Sequence, residues 1–239
     1  MNLRDRLERL RGLGLAPAGI PAASTPSSRR SPAPVQPALE ALALSTRPTP
    51  WGEACFREDD MPAGEPRGQV APARLASLPL EPLLRFGRVE APVDSAEDLL
   101  FLDTETTGLA GGTGTLVVVA GLARLDGARL RIRQFVLVDP TAEAAFLDAL
   151  AGELERARLL VTFNGRRFDW PVLEARFVLN RGLRAVPSPP HLDLLYPARR
   201  LYGADLPSCR LADLEAQVLG ARRAGDSPGS EVPLRYRLL

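Results

Sequence analysis

Hydrophobic and polar positions divide the chain into two unlike parts. From Val93 onward, apolar runs alternate with turn residues at regular spacing. Leu99–Leu102 is a short apolar run of the kind that forms a buried strand. Thr115–Leu125 and Arg129–Val138 read as two β-rich runs joined at Asp126-Gly127, a tight-hairpin dipeptide. In the second run the apolar positions change from Leu130 and Ile132 to Phe135 and Leu137, which predicts a bulge near Gln134. Pro140-Thr141 opens a helix with Phe146, Leu147, Leu150 and Leu154 on one face. Leu159–Phe163 is a short buried strand, followed by a turn at Asn164-Gly165. A further helix runs from Asp169 through Leu173 and Phe177 to a stop at Asn180-Arg181-Gly182.

Before Val93 the pattern is different. Leu3, Leu7 and Leu10 at helical spacing predict a short amphipathic helix within residues 1–14. Residues 15–92 hold 14 of the 23 prolines, with Ala, Ser and Arg between them. Proline-dense chain builds neither helix nor ladder, so a mostly disordered linker without a fold of its own is expected there. Its apolar residues, among them Trp51, Phe56, Leu83 and Phe86, could pack onto the ordered domain, residues 93–239.

Composition removes several chemistries. At 45% hydrophobic and 25% charged, the 239 residues look like an ordinary globular protein. All 30 basic residues are Arg, which excludes a Schiff-base lysine and the lysine of a P-loop. One histidine, His191, excludes a multi-histidine metal site. Cys55 and Cys209 form neither a disulfide framework nor a zinc pattern, so reduced thiols in a cytoplasmic protein are expected. The N-terminus has no apolar signal core, and the longest apolar run, Leu116–Ala123, is too short to span a bilayer. Net charge is +1 but uneven: residues 91–155 carry 4 Arg against 11 acids, and residues 156–239 carry 14 against 8. An acidic block followed by an arginine-rich one suits a metal-plus-polyanion site, and equally suits a solvated surface.

Candidate chemistry gathers in two stretches. In Leu99–Leu109, L-L-F-L-D-T-E-T-T-G-L, Asp103 and Glu105 stand two apart and so share one face of a strand. Paired carboxylates repel unless a divalent cation lies between them, and hard oxygen ligands suit Mg²⁺ or Mn²⁺. The same residues also read as a strand end entering a polar turn. The second stretch is Phe163–Pro171, F-N-G-R-R-F-D-W-P, in which Asp169 occupies an expected helix N-cap.

Together, D-x-E-x-T-G-L and N-G-x-x-F-D-x-P resemble the motifs of the DEDD exonucleases of the ribonuclease H-like superfamily, in particular its YprB-type branch. Gly111–Gly114 resembles that branch's glycine-rich loop and His191–Leu195 its H-x-D-L-L element. The helix at Leu211–Leu219 and the segment Asp226–Tyr236 also match in order. The resemblance implies an α/β fold: a mixed sheet of three antiparallel and two parallel strands flanked by helices. It implies a two-metal nuclease of 3′–5′ exonuclease type, with Asp103, Glu105 and Asp169 as catalytic residues and ligands of Mg²⁺ or Mn²⁺. Thr106, Asn164, Arg166 and Arg167 would bind the substrate, a single-stranded end of DNA or RNA. Asp193 matches a family position and reads as a strand-end residue rather than a ligand. The family's fourth carboxylate, in an H-N-x-x-D motif, has no counterpart up to Leu239. Two outcomes stay open: a nuclease impaired by that loss, or a non-catalytic nucleic-acid-binding or interaction module with the same fold. A missing final helix also predicts an uncovered sheet face and self-association through it, with Leu83, Phe86, Leu234, Leu238 and Leu239 covering only part.

Overall fold

Seven strands hydrogen-bond into one mixed sheet in the computed structural model, which describes residues 43–108 and 114–221. In chain order the strands are β1 (Ser45–Thr49), β2 (Gly52–Pro62), β3 (Leu99–Thr106), β4 (Val117–Asp126), β5 (Arg129–Val136), β6 (Leu159–Thr162) and β7 (His191–Asp193). The helices are α1 (Leu80–Gly87), α2 (Glu143–Leu154), α3 (Asp169–Leu179), α4 (Leu195–Tyr202) and α5 (Leu211–Val218). Across the sheet the order is β1-β2-β5-β4-β3-β6-β7. Pairing is antiparallel from β1 to β3 and parallel from β3 through β6 to β7.

The expected three antiparallel and two parallel strands are β5, β4, β3, β6 and β7. The expected count of five is too small, because β1 and β2 extend the sheet from within the stretch read as a disordered linker. Charge complementarity explains how so polar a segment forms a strand. Opposite Arg129, Arg131 and Arg133 of β5, strand β2 sets Asp60 and Glu58: Arg129 pairs with Asp60 at 2.9 Å, and both Arg131 and Arg133 reach Glu58. Opposite charges on facing strands favour pairing in that register. Phe56 adds an aromatic contact, its ring 6.0 Å from that of Phe135. Pro48 lies on β1, which pairs on one side only among the described residues, so its missing N–H breaks no interior ladder. The predicted helix in residues 1–14, the rest of the linker to residue 42, the loop Gly111–Thr113 and the C-terminal segment from residue 222 lie outside the described residues.

No bulge occurs at Gln134: β4 and β5 pair without interruption from Val119–Val136 to Asp126–Arg129. The apolar positions change because β5 faces two different cores. Leu130 packs with Ala63, Ala96 and Leu125 on one side of the sheet. Phe135 packs on the other with Leu100, Leu102, Leu122, Phe146, Leu150, Leu173 and Phe177, beneath α2 and α3. Arg133 shares the side of Phe135 and lies over the Phe56 ring, 5.3 Å from its centre. The register shift in this region is instead in β3, between Glu105 and Thr106.

Leu80, Leu83 and Leu84 of α1 pack over Leu99, Leu159, Val161 and Leu192. Arg200 of α4 fixes α1 from outside, donating to the Phe86 carbonyl and stacking 4.3 Å from the ring centre. Gly87 ends α1 so close to β7 that a Cβ there would lie 2.2 Å from Leu192 Cδ1, inside a fully buried side chain.

Placing β2 in the sheet gives the two thiols different fates. Cys55 on β2 is buried, and burial, helped by nearby Glu53, pushes its thiol pKa up, whereas Cys209 is half-buried. A thiol reagent should therefore modify one cysteine quickly and Cys55 only under denaturing conditions. Two fast equivalents in native buffer would contradict the position of β2.

Candidate active site

β3 is longer than its parallel neighbour. Leu99, Leu100 and Phe101 pair with Leu159, Leu160 and Val161, and β6 then ends at Thr162. Asp103 to Thr106 therefore run on with β4 alone beside them. Alternation puts Asp103 and Glu105 on the side of Leu99 and Phe101, and Thr104 on the side of Leu100 and Leu102. Asp103 is exposed, and Glu105 and Thr106 are half-buried.

Into the opening left by β6 comes Asp169. It is the first residue of α3 rather than its N-cap; that position belongs to Phe168, which makes no side-chain capping bond. The Asp169 Oδ1 accepts from the Thr104 N–H at 3.0 Å and from the Thr104 hydroxyl at 2.5 Å. Asp169 is buried, and burial raises its pKa although both Thr104 bonds favour the ionised form.

The turn before α3 is held by a second carboxylate. Asp193, 3% exposed at the end of β7, accepts from the backbone N–H groups of Asn164 (2.7 Å), Arg166 (3.1 Å) and Leu195 (3.0 Å). That is the work of a strand-end residue. Asn164 is left-handed at φ 66°, and a Cβ on Gly165 would lie 2.5 Å from the Thr162 Cβ, so the turn requires glycine there. The Arg166 guanidinium donates to the His191 carbonyl, while Arg167 and Phe168 point into solvent. Beside the turn is a cleft of about 490 Å³, with Asn164, Arg199, Ser208 and Arg210 on its walls. Thr106 donates its hydroxyl to the Gly108 carbonyl at 2.9 Å.

The sequence-predicted residues thus meet at one end of the sheet, where β3 and β6 finish. They are not gathered around a cation. Among the described residues no three His, Cys, Asp or Glu side chains are grouped so that they could hold a metal ion. Asp103, Glu105 and Asp169 offer the hard oxygens that Mg²⁺ or Mn²⁺ prefers, yet Asp169 turns toward Thr104, so the set does not fit a bound ion in this arrangement. Sequence reasoning passes over Thr104, because which edge of β3 lacks a parallel neighbour is decided only by where β6 ends.

His191 contributes a pH dependence. Its Nε2 lies 2.8 Å from the Thr162 hydroxyl, and its ring meets the edge of Trp170 at 5.8 Å. Burial, then Arg166, lowers its pKa to about 4, against a weaker opposing pull from Asp193. Because the unfolded chain takes up this proton first, stability is complete above pH 6.5 and falls as pH drops toward 4. Discounted for the solvated side of the ring, the loss is about 2 kcal/mol. Chemical denaturation of His191→Gln should lack this component between those pH values; an unchanged profile would contradict it.

A Bacillus subtilis (strain 168) protein, "Uncharacterized protein YprB", is 39% identical over 140 residues, which is 58% of this chain and 34% of that protein. The chain thus spans about a third of the relative's length. The profile of a family described as RNase_H superfamily matches residues 100–238, from β3 onward, and by that match the chain belongs to the ribonuclease H superfamily.

Proposed function

We propose that this chain is a nuclease-type hydrolase domain acting on nucleic-acid phosphodiesters, with Asp103, Glu105 and Asp169 as its catalytic carboxylates. The observation that carries the reading is the Thr104–Asp169 contact, which brings two motifs 65 residues apart to one strand end beside an arginine-bearing cleft. Asn164, Arg166 and Arg167, with Thr106 across the opening, supply donors for a strand's phosphates. The substrate of this reading is a single-stranded terminus of DNA or RNA, degraded from 3′ to 5′. Mg²⁺ or Mn²⁺ is the cofactor of this reading, with Asp103 and Glu105 as its first ligands and Asp169 able to join them only on leaving Thr104. The free cysteines support a cytoplasmic setting. Among the described residues no helix is long and apolar enough to cross a membrane. Copies of the domain would associate through a sheet face left uncovered where the family's final helix is missing.

That no group of His, Cys, Asp or Glu among the described residues is set to hold a metal ion favours a second reading, a nucleic-acid-binding module without cleavage. One assay separates the two. With Mn²⁺ and a 5′-labelled single strand, a nuclease yields a shortening ladder that Asp103→Ala abolishes while binding persists. Binding by both proteins with no ladder leaves the module reading; cleavage unchanged in Asp103→Ala would remove Asp103 from the mechanism. Calorimetry with Mn²⁺ should likewise show weak binding that Asp103→Ala eliminates.

A further inference from the structure

At the opposite end of the sheet, beneath the end of α2, lies a cavity of about 230 Å³ whose lining is mostly charged. Arg124, Arg131, Arg133 and Arg156 face it against only two carboxylates, Asp126 and Glu153. Both carboxylates already have partners. Asp126 pairs with Arg131 at 2.9 Å, and Glu153 takes Arg133 at 2.5 Å and Arg47 at 3.1 Å. Arg133 and Arg131 also share Glu58. Two of the four arginines are therefore neutralised by their surroundings, and among the described residues Arg124 and Arg156 have no such ion pair.

Arg124 is the more unusual of the two. It stands directly opposite Arg131 in the β4–β5 ladder, and like charges at facing positions destabilise a sheet. Its Nη2 is buried and has no hydrogen-bond acceptor among the described residues. Asp98 feels its charge, but Asp98 already accepts from the N–H groups of Asp94 (2.8 Å) and Ser95 (3.1 Å) and pairs with Arg158 at 3.6 Å. A buried guanidinium donor without an acceptor costs free energy, and turning the guanidinium of this cavity-lining residue onto a bound anion would recover it.

We propose that this cavity is a phosphate-binding site, with Arg124 and Arg156 as its donors. Planar guanidinium forks from different elements match the oxygens of a tetrahedral anion, and the excess of two positive charges in the lining matches a phosphate dianion. The site lies near Leu100 and the Asp126 hairpin, away from the end of β3 that carries Asp103, so it is independent of the nuclease reading. The phosphate belongs either to a small ion or monoester or to the backbone of a nucleic-acid strand.

Melting of the full chain at constant ionic strength tests this, with inorganic phosphate replacing chloride in one arm and a short phosphorothioate oligonucleotide added in the other. Phosphate binding raises the melting temperature of the wild type, and Arg124→Met and Arg156→Gln each weaken the apparent affinity by about tenfold or more. Without ligand, Arg124→Met melts no lower than wild type, because it removes a donor that nothing accepts. A shift with inorganic phosphate identifies the small ion; a shift with the oligonucleotide alone, lost in both variants, identifies the backbone. The proposal is overturned if neither probe stabilises the wild type or if Arg156→Gln keeps the full shift. It is also overturned if Arg124→Met melts lower without ligand, since Arg124 would then be a structural cation. Arg156 is exposed, so its variant tests binding without disturbing the core.

Discussion

The unequal lengths of β3 and β6 govern the functional end of this molecule. A parallel neighbour that stops early leaves backbone donors on the longer strand, and buried donors must find acceptors. Here the acceptor is a carboxylate from the first turn of the next helix, which ties α3 to the sheet at Thr104. The same termination opens the space that Asn164 to Phe168 border. Asp193 repeats the device one strand further out, its buried charge offset by three backbone N–H groups. Two carboxylates thus do the work that a longer β6 would otherwise do. The site is an outcome of where the ladder ends.

Much of the domain from β3 onward is legible in the sequence because local pattern and tertiary role agree there. Leu99–Leu102 is apolar on both faces and sits between two cores, and Asp126-Gly127 makes the turn its chemistry requires, with Gly127 at φ 55°. The apolar face of α2 is the one that packs on the sheet. β2 is not legible in this way. Its residues E-A-C-F-R-E-D-D have little intrinsic strand character, and only the arginines of β5, some 70 positions later, make it a strand. The apparent bulge at Gln134 fails for a related reason: a change of apolar face marks a change of partner, which a single strand's pattern cannot distinguish from an inserted residue.

Candidate chemistry divides in the same way. Asp103, Glu105 and Asp169 can be picked out by residue type and spacing, and the fold does bring them to one end of the sheet. Spacing does not say which way a carboxylate turns, and Asp169 turns to Thr104. Arg166 stands in a motif position that suggests a ligand for phosphate, yet one of its donors closes the turn on His191. Side-chain commitments of this kind depend on backbone groups left over by the sheet, and no local pattern encodes them.

The two borders of the sheet have a consequence for how copies of this domain could meet. On one side β1 is five residues long and carries Pro48; on the other β7 is three residues long. Among the described residues, neither offers the long, flat row of free amide groups on which a foreign strand could dock. Continuation of the sheet from one molecule into the next, the route by which many β-rich proteins polymerise, is therefore poorly supported at both ends. Seven strands have been joined here without leaving an inviting eighth position.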